Sequence, residues 1–329
     1  MRIPFQKLQF EFKRVLQSLD FTEEKAELIA TTFAENSRDG VYTHGLNRFP
    51  TFVDYVQQSL VKKDAEPVKE NAFGALEQWD GNLGPGILNA RICMDRAISL
   101  AKENGIGCVA IRNTNHWMRA GAYGWQAAEA GMIGICFTNT IANLPPWGGL
   151  DPRLGNNPLV IAVPRKEGHV VLDMAISQYS VGKLNLYKTN NQKLPLPGGY
   201  DKEGNLSFDA AEILENQRLL PVGFWKGSGL SLVLDLLATV LSQGNSTAKI
   251  TQSEKESSVS QVFICLKADH NEHTAQLIEE IISYAKSSRP IEEGTPIFYP
   301  GENTLLTRKK SMEDGVWVDE KIWEKVLDL

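Results

Sequence analysis

An imidazole and a guanidinium stand four residues apart in Val41-Tyr42-Thr43-His44-Gly45-Leu46-Asn47-Arg48-Phe49-Pro50. If Gly45 to Arg48 are helical, His44 and Arg48 share a face, with β-carbons roughly 6 Å apart. An imidazole near its working pKa can pass a proton to a developing alkoxide. A guanidinium that stays charged can grip a carboxylate with two parallel hydrogen bonds. Together they make half of a site for reducing a keto acid. The spacing alone also suits any helix start whose polar side chains meet water.

Other segments offer matching chemistry. Asn113-Thr114-Asn115-His116-Trp117-Met118-Arg119 follows an apolar strand and precedes a helix, where α/β folds hold ligands. Either asparagine suits a helix cap, and the nearby helix start would favour a neutral His116. Gly155-Asn156-Asn157-Pro158 ends a Pro- and Gly-rich loop, and Asn before Pro favours a turn. Asp173, the lone charge in Leu172-Asp173-Met174-Ala175, is either the cap of the helix after it or a polar contact for a ligand. Lys226, in Trp225-Lys226-Gly227-Ser228-Gly229, is placed to meet a phosphate at a helix start or is an ordinary solvated lysine. His44, His116 and Asp173 lack the spacing of a metal site, so none is expected. No Gly-x-Ser-x-Gly elbow supports a hydrolase.

Composition narrows the class. The 329 residues are 42% hydrophobic and 22% charged, with net charge −6, ordinary values for a globular chain of about two domains. No long basic run suggests nucleic acid. Cys93, Cys108, Cys136 and Cys265 are widely spaced in apolar surroundings, as buried thiols of a reducing compartment would be. The N-terminus has no apolar core of a signal peptide. Gly229 to Leu241 is too short to span a bilayer and contains Asp235. A cytoplasmic enzyme with no membrane partner is the expectation.

The elements must then bring these segments together. Residues 5–60 read as helices, with Thr22 as an N-cap before Glu23 and Glu24 and Gly40 as a stop. From about residue 72, helices alternate with short buried strands, which indicates α/β organisation. Strands are expected near Phe73–Trp79, Gly107–Arg112, Met132–Thr138, Leu159–Val163, Val170–Met174 and Ser258–Leu266. Helices are expected over Leu88–Lys102, Trp117–Ala130, 226–242 and His273–Ser287. Residues 190–205, rich in Pro, Gly, Asn and Asp, read as a long loop or lid. The helical tail, Gly301–Leu329, suits packing on the N-terminal helices. The expected division is a helical domain of residues 1–71 with 290–329 and an α/β domain of residues 72–289.

The usual glycine fingerprint of a nicotinamide cofactor is absent. Gly81-Asn82-Leu83-Gly84-Pro85-Gly86 follows a strand and opens a helix, but its spacing is wrong and a tight turn is the simpler reading. Yet His44-Gly45-x-Asn47-Arg48, Asn113-x-Asn115-His116, Asn157-Pro158, Leu172-Asp173-Met174-Ala175 and Lys226-Gly227-Ser228-Gly229 occur here in an order that resembles the malate/L-lactate/L-sulfolactate dehydrogenase family. That family is unrelated to the Rossmann-type lactate dehydrogenases. The likeness covers essentially the whole chain. The closer wording, VYTHGLNRFP, NHWMRAGAYGWQAAEAG, LPPWGG and PVGFWKGSGLSLVLD, is similar to the branch that reduces 2,3-diketo-L-gulonate.

The resemblance implies a non-Rossmann α/β fold that binds NADH in its own way, and a homodimer with sites near the subunit interface. It implies His44 as proton donor. It places cofactor contacts on His169, Val170, Val171, Leu172, Asp173, Met174 and Ala175, on Trp225 and Lys226, and on Gly301, Glu302 and Asn303, the last group through backbone. Within the shared motifs, the chemistry of Arg48 and His116 suits substrate binding. The expected reaction is NADH-dependent reduction of 2,3-diketo-L-gulonate, a small keto-acid sugar, to 3-keto-L-gulonate. Malate, lactate or ureidoglycolate dehydrogenation and cyclic imino acid reduction are alternatives, as is a non-catalytic dimeric binding protein.

Overall fold

A computed structural model describes residues 1–253 and 255–329. Its centre is a mixed seven-stranded sheet. In chain order the strands are β1 (Val68–Phe73), β2 (Leu76–Asp80), β3 (Ile106–Thr114), β4 (Met132–Thr138), β5 (Leu159–Val163), β6 (Val170–Met174) and β7 (Val259–Lys267). Their spatial order is β1-β2-β3-β7-β4-β5-β6. Only β2 and β3 run parallel, and β7 lies antiparallel between β3 and β4. The expected strand near Phe73–Trp79 is instead a hairpin turning at Gly74, whose φ of 61° suits glycine.

Side chains alternate across the sheet, as the strand period of two requires. On β7, Phe263 and Cys265 join Ile98, Tyr123 and Trp125 under the helices Gly86–Asn104 and Gly121–Glu129. Val262 faces the other way, against Leu234 and Ala238 of the helix Trp225–Ser242. Three of the four cysteines are fully buried and Cys108 partly so. Burial pushes the Cys108 and Cys265 thiols up to about 11 and about 12, so they are inert packing groups.

A second core joins the two ends of the chain. The helices Phe5–Ser18, Glu23–Arg38 and Phe49–Gln57 bury Phe12, Phe33, Phe49 and Phe52 together. Val316, Val318, Trp323 and Val326 of the tail complete this core. Thr22 caps the second helix, accepting from the Lys25 amide at 3.4 Å. Gly40, with φ of 83°, follows that helix's end.

The expected loop at 190–205 is more ordered than its composition suggests. Helices Val181–Thr189 and Ala210–Asn216 flank a small hairpin, Gly199–Tyr200 with Leu206–Ser207. Leu184, Leu194, Ile213 and Leu219 form its own apolar cluster with Leu144 and Leu154. Helices of one or two turns carry too little periodicity to announce themselves. Gly81–Gly84 is a tight turn, with Gly84 N–H donating to Gly81 C=O at 2.8 Å. Among the described residues no helix is long and apolar enough to cross a membrane.

Candidate active site

The turn that carries His44 and Arg48 is not the α-helix the spacing suggests. Tyr42–His44 and Leu46–Arg48 are two successive 3₁₀ turns, broken at Gly45, and the α-helix begins only at Phe49. The break has a tertiary cause. A β-carbon at Gly45 would collide with the Ser37 hydroxyl. Ser37 Oγ accepts the Leu46 amide at 2.9 Å, and Asn36 Nδ2 donates to the His44 carbonyl at 2.9 Å. The preceding helix thus fixes the backbone on both sides of the break.

His44 and His116 face each other, with ring centroids 5.6 Å apart and planes only 11° from parallel. Each has Nδ1 engaged. His44 Nδ1 lies 3.2 Å from Thr43 Oγ1, and His116 Nδ1 accepts the Met118 amide at 3.0 Å. The second contact needs Met118 at φ of 66°, a left-handed conformation that costs about 1–2 kcal/mol in a non-glycine residue. Both Nε2 atoms are left for a ligand among the described residues. Arg48 lines a small cavity with Tyr55, Asn115, His116 and Met118. Its guanidinium makes no hydrogen bond or ion pair to any described residue, so it is free to take an anion.

These groups perturb one another. Burial, then the charges of Arg48 and Arg119, push His44 down to about 4. Burial, then Arg48 and His44, hold His116 well below the ordinary histidine value. His116 is therefore neutral, and since its Nδ1 accepts a hydrogen bond, its Nε2 carries the proton. The helix-start explanation for this neutrality is corrected, because the helix begins at Gly121 rather than Trp117. Neither asparagine caps it. Asn115 Nδ2 donates to the Leu83 and Gly84 carbonyls, and Asn113 Nδ2 to Asp80.

The cap of that helix comes from across the sheet. Asp173 Oδ2 accepts the Gly121 amide at 3.0 Å and lies 3.6 Å from Arg119 Nε. Asp173 therefore caps a helix that precedes it by some fifty residues, not one that follows it. Burial raises its carboxyl, with Arg119 and the Gly121 amide opposing. Arg119 in turn donates to Asp39 at 2.7 Å. Asp39 also receives Arg38 at 2.9 Å and a two-pronged contact from Arg308 at 2.9 and 2.8 Å. Burial alone would push Asp39 up, but the Arg308 hydrogen bonds and the charges of Arg119 and Arg38 hold it at about 2. One buried carboxylate thus ties the N-terminal helices, the sheet and the tail together beside His44.

The segments singled out for a cofactor meet along β6. Val171 N–H donates to the Pro300 carbonyl at 2.8 Å. A β-carbon at Gly301 would sit 3.0 Å from Val171 N and 3.1 Å from the His169 carbonyl oxygen, and its φ of 97° also requires glycine. Beyond Ala175, Val222 N–H donates to Ile176 C=O at 2.8 Å, which brings Trp225 and Lys226 to the other end of the strand. Asp173 is partly open on this line, its side chain 28% exposed, while its carboxylate turns in to Gly121 and Arg119. Trp225 is 62% exposed, and Lys226 Nζ lies 5.9 Å over its ring. Glu302 is committed to the Tyr299 amide at 3.1 Å and to Lys286, while Asn303 points to solvent. Val170, Leu172 and Met174 alternate with these along the strand.

Sequence reasoning missed Asn36, Ser37, Asp39 and Arg119. A polar run inside an otherwise apolar helix face, Asn36-Ser37-Arg38-Asp39, was the available signal. Their partners lie up to 269 residues away in the chain.

Comparison with known proteins identifies the family to which the chain belongs. The malate/L-lactate dehydrogenase family model matches residues 3–327. The 2,3-diketo-L-gulonate reductase of Mannheimia succiniciproducens is 43% identical over the full length of both chains. The malate dehydrogenase of Pyrococcus horikoshii superposes with a TM-score of 0.89 at 32% identity, covering 99% of this chain and 93% of that one. The malate dehydrogenase of Entamoeba histolytica superposes with a TM-score of 0.94 at 26% identity, covering 100% and 96%.

Proposed function

Because the chain belongs to the malate/L-lactate dehydrogenase family, and so is an oxidoreductase acting on CH–OH groups with a nicotinamide cofactor, we propose that it uses NADH to reduce 2,3-diketo-L-gulonate to 3-keto-L-gulonate. The observation that carries the reading is the facing pair His44 and His116 beside an uncommitted Arg48.

The residues fit such a cofactor. Gly301 lets the tail backbone close onto His169 and Val171, and Lys226 offers a cation at the start of the helix Trp225–Ser242. Contacts to His169–Ala175, Trp225, Lys226 and the backbone of Gly301–Asn303 belong to this proposal. A bound nicotinamide supplies the hydride. Arg48 grips the substrate carboxylate and fixes which carbonyl is presented, an orientation effect that can supply several kcal/mol. His116 Nε2–H donates to the carbonyl oxygen. His44, as imidazolium, passes its proton to that oxygen as negative charge grows there. Free His44 is held neutral, so it must gain that proton with substrate. The substrate carboxylate cancels the Arg48 charge that opposes protonation.

The functional unit we propose is a cytoplasmic homodimer that binds neither nucleic acid nor membrane. Leu232, Val233, Leu236 and Val240 leave an apolar face of the helix Trp225–Ser242 exposed, the surface a second subunit would cover. The two separate apolar cores support a helical domain of residues 1–71 with 290–329 against an α/β domain of residues 72–289. Ile87, Leu88 and Met118, which join the helical core, and Leu305, which packs on the sheet core, cross that boundary.

Loss of NADH absorbance is the test, with 2,3-diketo-L-gulonate, oxaloacetate and pyruvate compared. The expected result is the highest kcat/KM for the diketo acid and a lower one with NADPH. A higher kcat/KM for oxaloacetate would overturn the substrate assignment, and no turnover of any keto acid would favour a binding protein.

A further inference from the structure

We infer that Thr43 is a positioning residue for the reaction: its hydroxyl sets the ring of His44, and the close backbone of Gly182 holds Thr43 in place. This rests on the reading of His44 as proton donor to a keto acid.

Two contacts converge on Thr43. Its Oγ1 lies 3.2 Å from His44 Nδ1, and no other hydrogen bond among the described residues engages that hydroxyl. Its methyl group meets Gly182. A β-carbon at Gly182 would collide with Thr43 Cγ2 and lie 2.7 Å from Thr43 Cβ. Only a residue without a side chain lets the helix Val181–Thr189 come this near. The helix is fixed where it meets Thr43, because Ser180 Oγ accepts the Lys183 amide at 3.1 Å and caps the turn that contains Gly182. Leu184 anchors the same helix in the small apolar cluster with Leu194 and Ile213. This module hangs from a two-strand stem. Gln178 N–H donates to Leu220 C=O at 2.7 Å, and Val222 N–H to Ile176 C=O at 2.8 Å. The stem leads from the end of β6 to Trp225 and Lys226, so the module reaches from the cofactor segments to the His44 turn.

The proton chemistry needs such a contact. His44 must present Nε2 to the substrate. As an acid it is imidazolium, with a proton on each nitrogen, and as a base in the reverse direction it carries its one proton on Nδ1. In both working forms Nδ1 donates, and Thr43 Oγ1 is the acceptor it meets. The other groups that face or act on His44 are Arg48, Arg119 and His116, which supply no acceptor for Nδ1. The hydroxyl therefore selects the useful tautomer and fixes the ring plane, as the orienting partner of a catalytic imidazole does.

Kinetics with NADH and 2,3-diketo-L-gulonate, together with imidazole nitrogen NMR of the free protein, test this in the full chain. Thr43→Val keeps the shape against Gly182 and removes the hydroxyl, so kcat should fall about tenfold, the worth of one hydrogen bond. The KM for NADH should stay within about threefold of wild type, since the lost contact serves the chemical step. The His44 proton should shift away from Nδ1 in the same variant. Thr43→Ser keeps the hydroxyl and should recover most of the loss in kcat. Gly182→Ala drives a methyl into Thr43 and should cost about tenfold in kcat, of which Thr43→Ser, lacking the methyl it strikes, should restore about threefold in the double variant, a coupling that independent sites do not show. A Thr43→Val protein with kcat and His44 tautomer like those of wild type, or a Thr43→Ser protein as impaired as Thr43→Val, would overturn the inference. A wild-type protein that reduces no keto acid would sink the keto-acid reading instead, and the tautomer comparison would still decide whether Thr43 orients His44.

Discussion

The two halves of the proposed site are built in opposite ways. Around His44 every backbone step is fixed: Asn36 and Ser37 hold the turn, Gly45 is pressed on Ser37, and Asp39 locks Arg38, Arg119 and Arg308. Along β6 the cofactor half lies on the sheet's edge strand, with Trp225 and Lys226 in solvent. Proton transfer needs a group held within hydrogen-bond reach in a dry setting. Cofactor binding tolerates an open groove that the ligand, and a second subunit, can finish. The contrast predicts that changes on the His44 side act on kcat or stability, and changes on the β6 side on cofactor affinity.

The sharpest break in that contrast would come from His44→Ala. Loss of the proton donor should lower kcat by about 10²–10⁴-fold with little change in the KM for NADH. Steady-state kinetics that kept kcat within about threefold of wild type would remove His44 from the chemistry. Asp39→Asn should come next. It leaves three arginines facing a neutral group, and breaking a buried ion pair costs about 3–5 kcal/mol. Urea unfolding reads this loss. The sign with pH follows from Asp39 lying at about 2 when folded against an ordinary 3.8. Its contribution, about 2 kcal/mol by linkage, is complete above pH 3.8 and fades as pH falls toward 2. In Asp39→Asn that acid sensitivity should shrink.

On the open side, Lys226→Ala should raise the KM for NADH by about tenfold, as loss of one charge-assisted contact to a phosphate would. The kcat at saturating cofactor should stay near that of wild type. A kcat loss as large as that of His44→Ala would erase the distinction between the halves. Fluorescence titration with NADH separates binding from turnover.

How much of this was legible beforehand follows the range of the forces. The long helices and buried strands were readable because periodicity is local: residues 5–60 fold as the expected helices, and β4, β5 and β6 keep the predicted bounds. Whether Gly45 to Arg48 are helical could not be read locally, because the force that breaks the turn is the tertiary contact of Gly45 with Ser37. Asp173 was read as a local cap or ligand contact, but its partner Gly121 is brought to it by the pairing of the sheet. Asp39 drew no attention, since nothing nearby in sequence reveals Arg119 or Arg308. The cofactor segments emerged only through family likeness. Their meeting on β6 depends on Pro300 and Val222, which carry no chemical signature.

The finest probe of the closed half is the proton affinity of His44 itself. Burial is the first cause of its depression to about 4, and Arg48 is the second. Burial is not altered by exchanging the guanidinium for a neutral side chain, but the repulsion is removed. Arg48→Gln should therefore move the His44 titration, followed by NMR in the free protein, upward from about 4. His116, on which Arg48 also acts, should move in the same direction. In the wild type, kcat/KM reports the free enzyme. An imidazolium donor with a pKa of about 4 then makes kcat/KM for reduction fall about tenfold per pH unit through the neutral range. The oxidation direction uses neutral His44 as base, and its kcat/KM should hold level until pH approaches 4. If both directions lost activity together as pH rose, the acid and base would not be one residue, and the closed half would have to hold a second proton carrier.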